Sequence, residues 1–501
     1  MEFKKEISKN NTGMFLFGLS LIFLFIMTYV GITKIGIWSD ELYTFAILQY
    51  PISEMIELIS QDVHPPLYYL IYKFLLKIGE LIGFSTINDM IIIGKITSLI
   101  PFYLLIGLAI TKIKKNFGLL TMGIFSLCII TMPRFMLFGV ELRMYSWGLF
   151  FVTASLIYLY EIIKSTDQKS NLKKWIILTI LTICSIYTHY FSAIASFSLY
   201  CLFLIYILYQ RKDLLKYWFL SGIISAIAFI PWATFLLKNF LRVSDSYWIA
   251  PITFERIIGY VYYILSPANI PVNANEIVYP TILGTLLLIG IIILIVYYLK
   301  NKKDLEGNFA IFAILSLILV FIIGIVASYT TRPIFHVRYC IPILGSFWLG
   351  ISILLSKVYI KKEIFIPILA IILIVGVVGT NDFINIQEKE FEETQNLTKD
   401  FDVVVGSESV IFFNSYNVYR LLTPYYFSDD YNLIWESGDS GLDIENALQD
   451  PGIQNRINHG SKVFFVDKAN YGYQQCIDHG LKLEKKYYYK HDNITIYEVQ
   501  L

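Results

Sequence analysis

The chain has 501 residues, of which 56% are hydrophobic and 16% charged, with a formal net charge of +1 and a mean hydropathy of +0.60. Soluble chains run about 45–50% apolar and roughly 25% charged, so this composition excludes a soluble enzyme and a disordered chain, and a charge of +1 offers no field that draws in nucleic acid. A membrane protein with many spans remains.

The charge is unevenly spread. Residues 1–380 carry 49 Asp, Glu, Lys and Arg with a net charge of +11, whereas residues 381–501 carry 30 with a net charge of −10. This contrast predicts a membrane domain over 1–380 and a small soluble domain over 381–501. Cys128, Cys184, Cys201 and Cys340 lie in apolar runs and Cys476 alone lies in the tail, so no disulfide framework is expected. The apolar run from Phe15 to Thr33 has the length of a permanent anchor rather than of a cleaved signal peptide.

A helix that crosses the hydrocarbon core needs about 20 mostly apolar residues. Eleven stretches qualify: 14–33, 91–111, 117–133, 145–163, 175–188, 190–209, 217–237, 279–299, 308–328, 339–356 and 364–380. The stretch from Trp175 to Tyr209 is too long for one crossing and is split at Thr188-His189-Tyr190. Lysine and arginine then gather in every second loop: Lys112, Lys114 and Lys115; Lys164, Lys169, Lys173 and Lys174; Arg211, Lys212 and Lys216; Lys300, Lys302 and Lys303; Lys357, Lys361 and Lys362. With Lys4, Lys5 and Lys9 ahead of the first span, the positive-inside rule predicts a cytoplasmic N-terminus, an extracytoplasmic C-terminal domain and a multi-pass protein of the cell membrane. Pro65 to Ile82 carries Lys73, Lys77 and Glu80, and counting it as a span breaks the alternation; it reads as an amphipathic interfacial helix inside a first external loop over about 34–90. The tail alternates apolar runs (Phe401–Val405, Val410–Phe413, Val463–Val466, Ile494–Val499) with helix-like stretches, which predicts a small α/β domain. The fold class is thus an all-α polytopic membrane protein with a small α/β extracytoplasmic C-terminal domain.

Five polar groups fall at the external ends of these spans. Ser39-Asp40-Glu41-Leu42-Tyr43-Thr44 follows the first span; adjacent carboxylates there can supply a general base or a metal ligand, and equally can be a solvated acidic loop. Asp62-Val63-His64-Pro65-Pro66 opens a helix, either as a cap or as a site. Pro133-Arg134 and Glu141-Leu142-Arg143-Met144-Tyr145 form a third group, in which Glu141 and Arg143 make either an ion bridge or a phosphate clamp. His189 sits in a tight turn, where a lone histidine is commonly structural. Arg332, His336, Arg338 and Tyr339 precede Pro342 and set cations at an external mouth against the positive-inside trend, which an anionic ligand explains. A substrate with a lipid tail, a phosphate and a polar head meets all of these groups at one membrane boundary.

These strings resemble those of the polytopic GT-C superfamily glycosyltransferases, and more closely of the bacterial family 39 type, related to protein O-mannosyltransferases and to aminoarabinose transferases acting on lipid A. The strings that carry the resemblance are Trp38-Ser39-Asp40-Glu41-Leu42-Tyr43-Thr44, Asp62-Val63-His64-Pro65-Pro66-Leu67-Tyr68-Tyr69, Glu141-Leu142-Arg143-Met144-Tyr145, Thr188-His189-Tyr190 and Arg338-Tyr339-Cys340-Ile341-Pro342, over residues 15–350. The resemblance implies transfer of a hexosyl or pentosyl group from a polyprenyl-phosphate carrier to an acceptor hydroxyl on a glycan, lipid or protein, outside the cytoplasm and with inversion. It implies Asp40 as general base and Glu41 as its support or as a sugar ligand. Arg143, Arg338 and Arg332 would bind the phosphate, and His64, Glu141, Tyr145, His189 and Tyr339 would line the pocket. Glu141 stands where some relatives have glutamine. Branches of the family differ in whether they hold a divalent metal; Asp40, Glu41, His64 and His189 could bind one, but no metal and no other cofactor is assigned. Membrane lipid is an expected partner and nucleic acid is not. The alternative is a transporter or flippase of a lipid-linked glycan, which internal repeats and midplane charges would favour; here the charges gather at one face. The tail after Asn381 matches no string of the family.

Overall fold

The computed structural model describes residues 2–61, 64–165, 168–242, 249–267, 278–301, 304–404, 409–413, 432–434, 440–468, 472–489 and 494–501. Asp62, Val63, Lys302 and Lys303 lie outside the described residues. The first helices are α1 (Glu2–Thr33), α2 (Ser39–Leu48), α3 (Ile52–Ser60), α4 (Leu67–Leu81), α5 (Ile87–Leu108), α6 (Lys114–Thr131), α7 (Phe135–Val140) and α8 (Tyr145–Lys164). They are followed by α9 (Gln168–Thr188), α10 (Tyr190–Gln210), α11 (Leu215–Arg242), α12 (Phe254–Leu265), α13 (Val278–Lys300), α14 (Leu305–Thr330), α15 (Ile341–Lys357) and α16 (Lys362–Val404).

Among the described residues nine helices are long and apolar enough to cross a membrane. The protein is a polytopic helical membrane protein with a small C-terminal sheet. One of the nine is a run of 44 residues, Asn88–Thr131, about 66 Å at 1.5 Å per residue and twice the hydrocarbon thickness. It is broken at Gly118, whose φ of 86° is open to glycine and strained for other residues. A π-helical turn, Ala109–Ile113, precedes the break. Helix α9 is not among the nine, and the chain turns from it into α10 at His189, where the sequence reading splits the long apolar stretch.

The chain divides into two compact units. The first comprises Met1–Ile32, Ser53–Ile78 and Ile93–Asn385. Its centre is α15: every residue in that helix's most apolar stretch is buried, against 83% for α8 and 17% for α11, so α11 keeps its aliphatic surface for lipid. Helix α15 packs on α6, α8 and α14, and the approach is close because Gly345 of α15 lies against Thr153 of α8 and Gly350 against the Ala310 carbonyl of α14. Small residues at such crossings are what lets helices pack where lipid removes any hydrophobic drive.

The helix order gives this unit two ends. At one end the basic loops are tied to the bundle by polar contacts. Lys112 Nζ lies 2.9 and 3.1 Å from the Glu161 carboxylate, which also accepts from Asn116 Nδ2 at 3.3 Å. Arg211 Nη1 donates to the Ile163 carbonyl at 2.7 Å, and Lys357 Nζ pairs with Asp304 and Glu306 at 2.6 and 3.1 Å. The opposite end collects the turns at 132–134, 141–144, 189 and 331–340.

The second unit comprises Thr33–Ile52, Gly79–Ile92 and Ile386–Leu501. Here Lys34 pairs with Glu388 at 3.8 Å and lies 5.3 Å from the Phe391 ring, so the chain after α1 is anchored on the second half of α16. Its five-stranded sheet has the order β2-β1-β3-β5-β4, with β1 Val410–Phe413, β2 Asn432–Ile434, β3 Val463–Lys468, β4 Lys482–Tyr489 and β5 Ile494–Gln500. β1 pairs parallel with β2 and β3, while β5 runs antiparallel to both β3 and β4. Alternate residues Val410 and Phe412, Val463 and Phe465, and Tyr497 and Val499 share one face and form its core with Ile444, Ile453 and Cys476. One expectation is corrected: the run at 401–405 is not a strand, because α16 continues to Val404, with residue 405 outside the described residues. A short apolar run does not distinguish a strand from the end of a helix.

Glu161 is 7% exposed and joins the α5–α6 turn to α8. Glu161→Ala leaves Lys112 and Asn116 without this acceptor, at a cost of about 2–3 kcal/mol. Thermal unfolding of the detergent-solubilised protein should show Tm lowered by several degrees, with Glu161→Gln losing about half as much.

Candidate active site

The turns at one end of the first unit bring six of the ten expected residues into a chain of ring and hydrogen-bond contacts. His64 ends the segment before α4 and is 7% exposed; Arg143, in the turn between α7 and α8, is 3% exposed. Arg143 Nη2 lies 3.4 Å from His64 Nε2. A guanidinium only donates, so His64 accepts through Nε2 and is neutral. The His64 ring centroid lies 5.7 Å from that of His189, which in turn lies 5.4 Å from Tyr145 and 5.1 Å from Tyr339. Arg338 stacks beside Tyr339 with Cζ 5.9 Å from its ring centroid.

Each position follows from a break in regular structure. His189 is the N-cap of α10, and its Nδ1 accepts the Phe191 amide at 3.1 Å, which satisfies one of the four open donors of the first turn. Arg143 follows Glu141, which has an extended backbone at the end of α7 and whose carbonyl accepts the Arg143 amide at 2.7 Å. Arg338 and Tyr339 lie on a 3₁₀ turn, Val337–Cys340, capped by His336 through an Nδ1 acceptor 3.4 Å from the Arg338 amide. Pro342 then starts α15 without losing a needed donor.

The electrostatics favour neutral histidines beside permanent cations. Burial, together with His64 and the charges of Arg143 and Arg338, holds the His189 ring well below the usual imidazole value of 6.5. With Nδ1 occupied as an acceptor, its proton sits on Nε2. The positive charge of the cluster therefore comes from arginine, whose planar donors suit carboxylate or phosphate. Burial also raises the Tyr263 phenol, so it stays a neutral donor.

The remaining expected residues are placed as follows. Glu141 acts electrostatically on Tyr263, as does Arg338. Arg332 is half-buried in the segment leading to the 3₁₀ turn. Asp40 and Glu41 belong to the second unit. There Asp40 is half-buried in the first turn of α2, and Glu41 is 2% exposed with Oε2 accepting the Trp38 amide at 3.2 Å; this is the carboxylate half of a capping box. Asp62 is outside the described residues. Among the described residues no group of three His, Cys, Asp or Glu side chains is placed to hold a metal ion.

Two residues at this end were missed by the sequence reading. Lys95 is 1% exposed, and its Nζ lies 3.5 Å from the Val140 carbonyl; one lysine inside an apolar helix was the signal. Tyr263 lies on α12, in the stretch 238–278, which yielded no motif.

No family model matches the chain, and no curated protein matches it. Solved structures do. ArnT from Cupriavidus metallidurans bound to undecaprenyl phosphate is similar with a TM-score of 0.59 at 10% identity, over 96% of this chain and 97% of that one. Its apo state gives the same score and identity over 96% and 98%. The chain shares the fold of this ArnT. The Archaeoglobus fulgidus oligosaccharyltransferase in complex with Zn and sulfate gives a TM-score of 0.47 at 11% identity, over 94% of this chain and 72% of that one.

His189 makes stability depend on pH. Below about pH 6.5 the unfolded chain takes up a proton at this residue that the folded chain refuses, so stability falls as pH drops through that value and levels off only at the lower folded pKa. The expected slope is up to about 1.4 kcal/mol per pH unit from this one group. Tm measured between pH 7.5 and 5 should fall on acidification, and His189→Asn should flatten the fall.

Proposed function

We propose that the chain is an integral-membrane glycosyltransferase that moves a sugar from a polyprenyl-phosphate carrier to an acceptor hydroxyl on the extracytoplasmic side. One observation carries the reading: Arg143, Arg338 and neutral histidines cluster at one end of a bundle whose fold is shared with a protein solved with undecaprenyl phosphate bound. The resemblance of the Asp40, His64, Arg143, His189 and Arg338 strings to the family 39 type supports the same reaction.

In this proposal Asp40 is the general base. It takes the proton from the acceptor hydroxyl as that oxygen bonds to the anomeric carbon. The bond from that carbon to the phosphate oxygen breaks, and its electron pair leaves on the carrier phosphate. A single displacement inverts the configuration. Arg143 and Arg338, with Arg332, bind the phosphate and stabilise the charge that grows on it. Each well-placed donor of this kind is worth about 10²–10³ in rate, and a positioned base about 10²–10⁴. Glu41 supports Asp40 by fixing the first turn of α2. His64, Glu141, Tyr145, His189 and Tyr339 line the pocket, and the acceptor is a glycan, lipid or protein. Sharing one membrane surface raises the effective concentration of donor and acceptor. The lysine-rich alternate loops support a cytoplasmic N-terminus and an extracytoplasmic C-terminal domain.

The test is reconstitution in proteoliposomes with a panel of polyprenyl-phosphate sugars, following release of free polyprenyl phosphate. Asp40→Asn should lower the rate by about 10³-fold or more with Tm unchanged, and Arg143→Lys and Arg338→Lys by about 10²-fold each. Release from none of the donors, or an Asp40→Asn protein as fast as the unaltered one, overturns the proposal.

A further inference from the structure

Arg134 is the one non-glycine residue with positive φ among the described residues, at 75°. A left-handed backbone costs an L residue about 1–2 kcal/mol, which glycine would avoid. The side chain is 5% exposed, so it is not held there for solvation. It spans to α12 instead. Nε donates to the Tyr263 carbonyl at 3.2 Å, and Cζ lies 4.5 Å from the centroid of the Tyr263 ring. One guanidinium thus fixes both the backbone and the ring of a single tyrosine. Asp382 of α16, which shares a small cavity with Arg134, faces it with opposite charge.

Tyr263 is placed where this matters. Tyr260, three residues earlier on the same face of α12, donates its hydroxyl to the Phe335 carbonyl at 3.2 Å, which docks the helix beside the Arg338 turn. Tyr263 then stands among Arg134, Glu141 and Arg338. Its carbonyl and its ring are engaged by Arg134, while its hydroxyl has no hydrogen-bond partner among the described residues. A phenol fixed at its base, with an open donor beside an arginine, is built to meet an anion.

We propose that Tyr263 donates a hydrogen bond to the phosphate of the lipid carrier and that Arg134 is the positioning residue that sets it there. The inference rests on the functional reading given above. Only the Tyr263 hydroxyl touches the ligand; Arg134 acts through it.

The test is binding of undecaprenyl phosphate to the full-length protein in nanodiscs, alongside transfer kinetics. Tyr263→Phe keeps the ring and removes the donor; it should weaken binding about tenfold or more and raise KM with a smaller change in kcat. Arg134→Lys should do the same to a lesser degree. Arg134→Gly relieves the backbone and tests folding separately: Tm should hold while carrier affinity falls. In the Tyr263→Phe, Arg134→Lys double variant the affinity should match that of Tyr263→Phe alone, because the two residues act as one unit. Carrier binding by Tyr263→Phe equal to the unaltered protein, or losses that multiply in the double variant, overturns the proposal. Asp40→Asn separates the two readings, since it should lose transfer and keep carrier affinity. If the unaltered protein binds no undecaprenyl phosphate, the functional reading falls and this inference with it.

Discussion

A guanidinium taken out of water among neutral rings is the constraint around which the site end of the bundle is organised. Arg143 is 3% exposed, and burying a charge is costly unless acceptors surround it. His64 meets that need only while it is neutral, because its Nε2 lone pair faces the guanidinium. His189 and His336 each commit a ring nitrogen to a backbone amide. Protonating His189 would add a further cation beside Arg143 and Arg338, and burial already opposes it. The positive charge of the cluster therefore comes from its arginines.

The backbone breaks that build this cluster all lie at helix ends. The chain leaves α6 through Arg134 in a left-handed conformation, leaves α7 in an extended one at Glu141, and turns at His189 between two helices. In a membrane such irregular backbone persists only where protein partners satisfy it, as His189 does by accepting the Phe191 amide at the start of α10. The close helix crossings at Gly345 and Gly350 hold α15 at the centre, and with it the start of the Arg338 turn. At the other end, Glu161 and Lys357 tie the basic loops to the bundle.

The second unit carries different chemistry. Asp40 rides on a short helix whose first turn is fixed by Glu41, and Lys34 anchors the preceding chain on α16. The adjacent carboxylates thus differ in setting: one is nearly sealed and engaged at a helix start, the other half-exposed. The sheet beyond them is held by a core of Phe412, Phe465 and Tyr497. Asp467, fully buried, accepts the Gly472 and Tyr473 amides at 3.2 and 2.9 Å and so ties the end of β3 to those two residues.

Hydropathy alone determined that this chain is a bundle of apolar helices with a small mixed domain after it, because a span announces itself locally, over some 20 residues. The same local logic marked the turn at His189 and three of the five strands. It failed at 401–405, where a short apolar run fits either period, and at β4, whose lysines and tyrosines hide a strand from a search for apolar runs. The motif strings named His64, Arg143, Tyr145, His189, Arg338 and Tyr339, but their spacing of up to 275 residues says nothing of which ring faces which. Only the tertiary structure decided that His64 accepts from Arg143, that Lys95 reaches the Val140 carbonyl, and that Tyr263 is held by Arg134. Those contacts join helices far apart in the chain, and no local pattern records them, because burial and direction at a helix end are set by the neighbours it packs against.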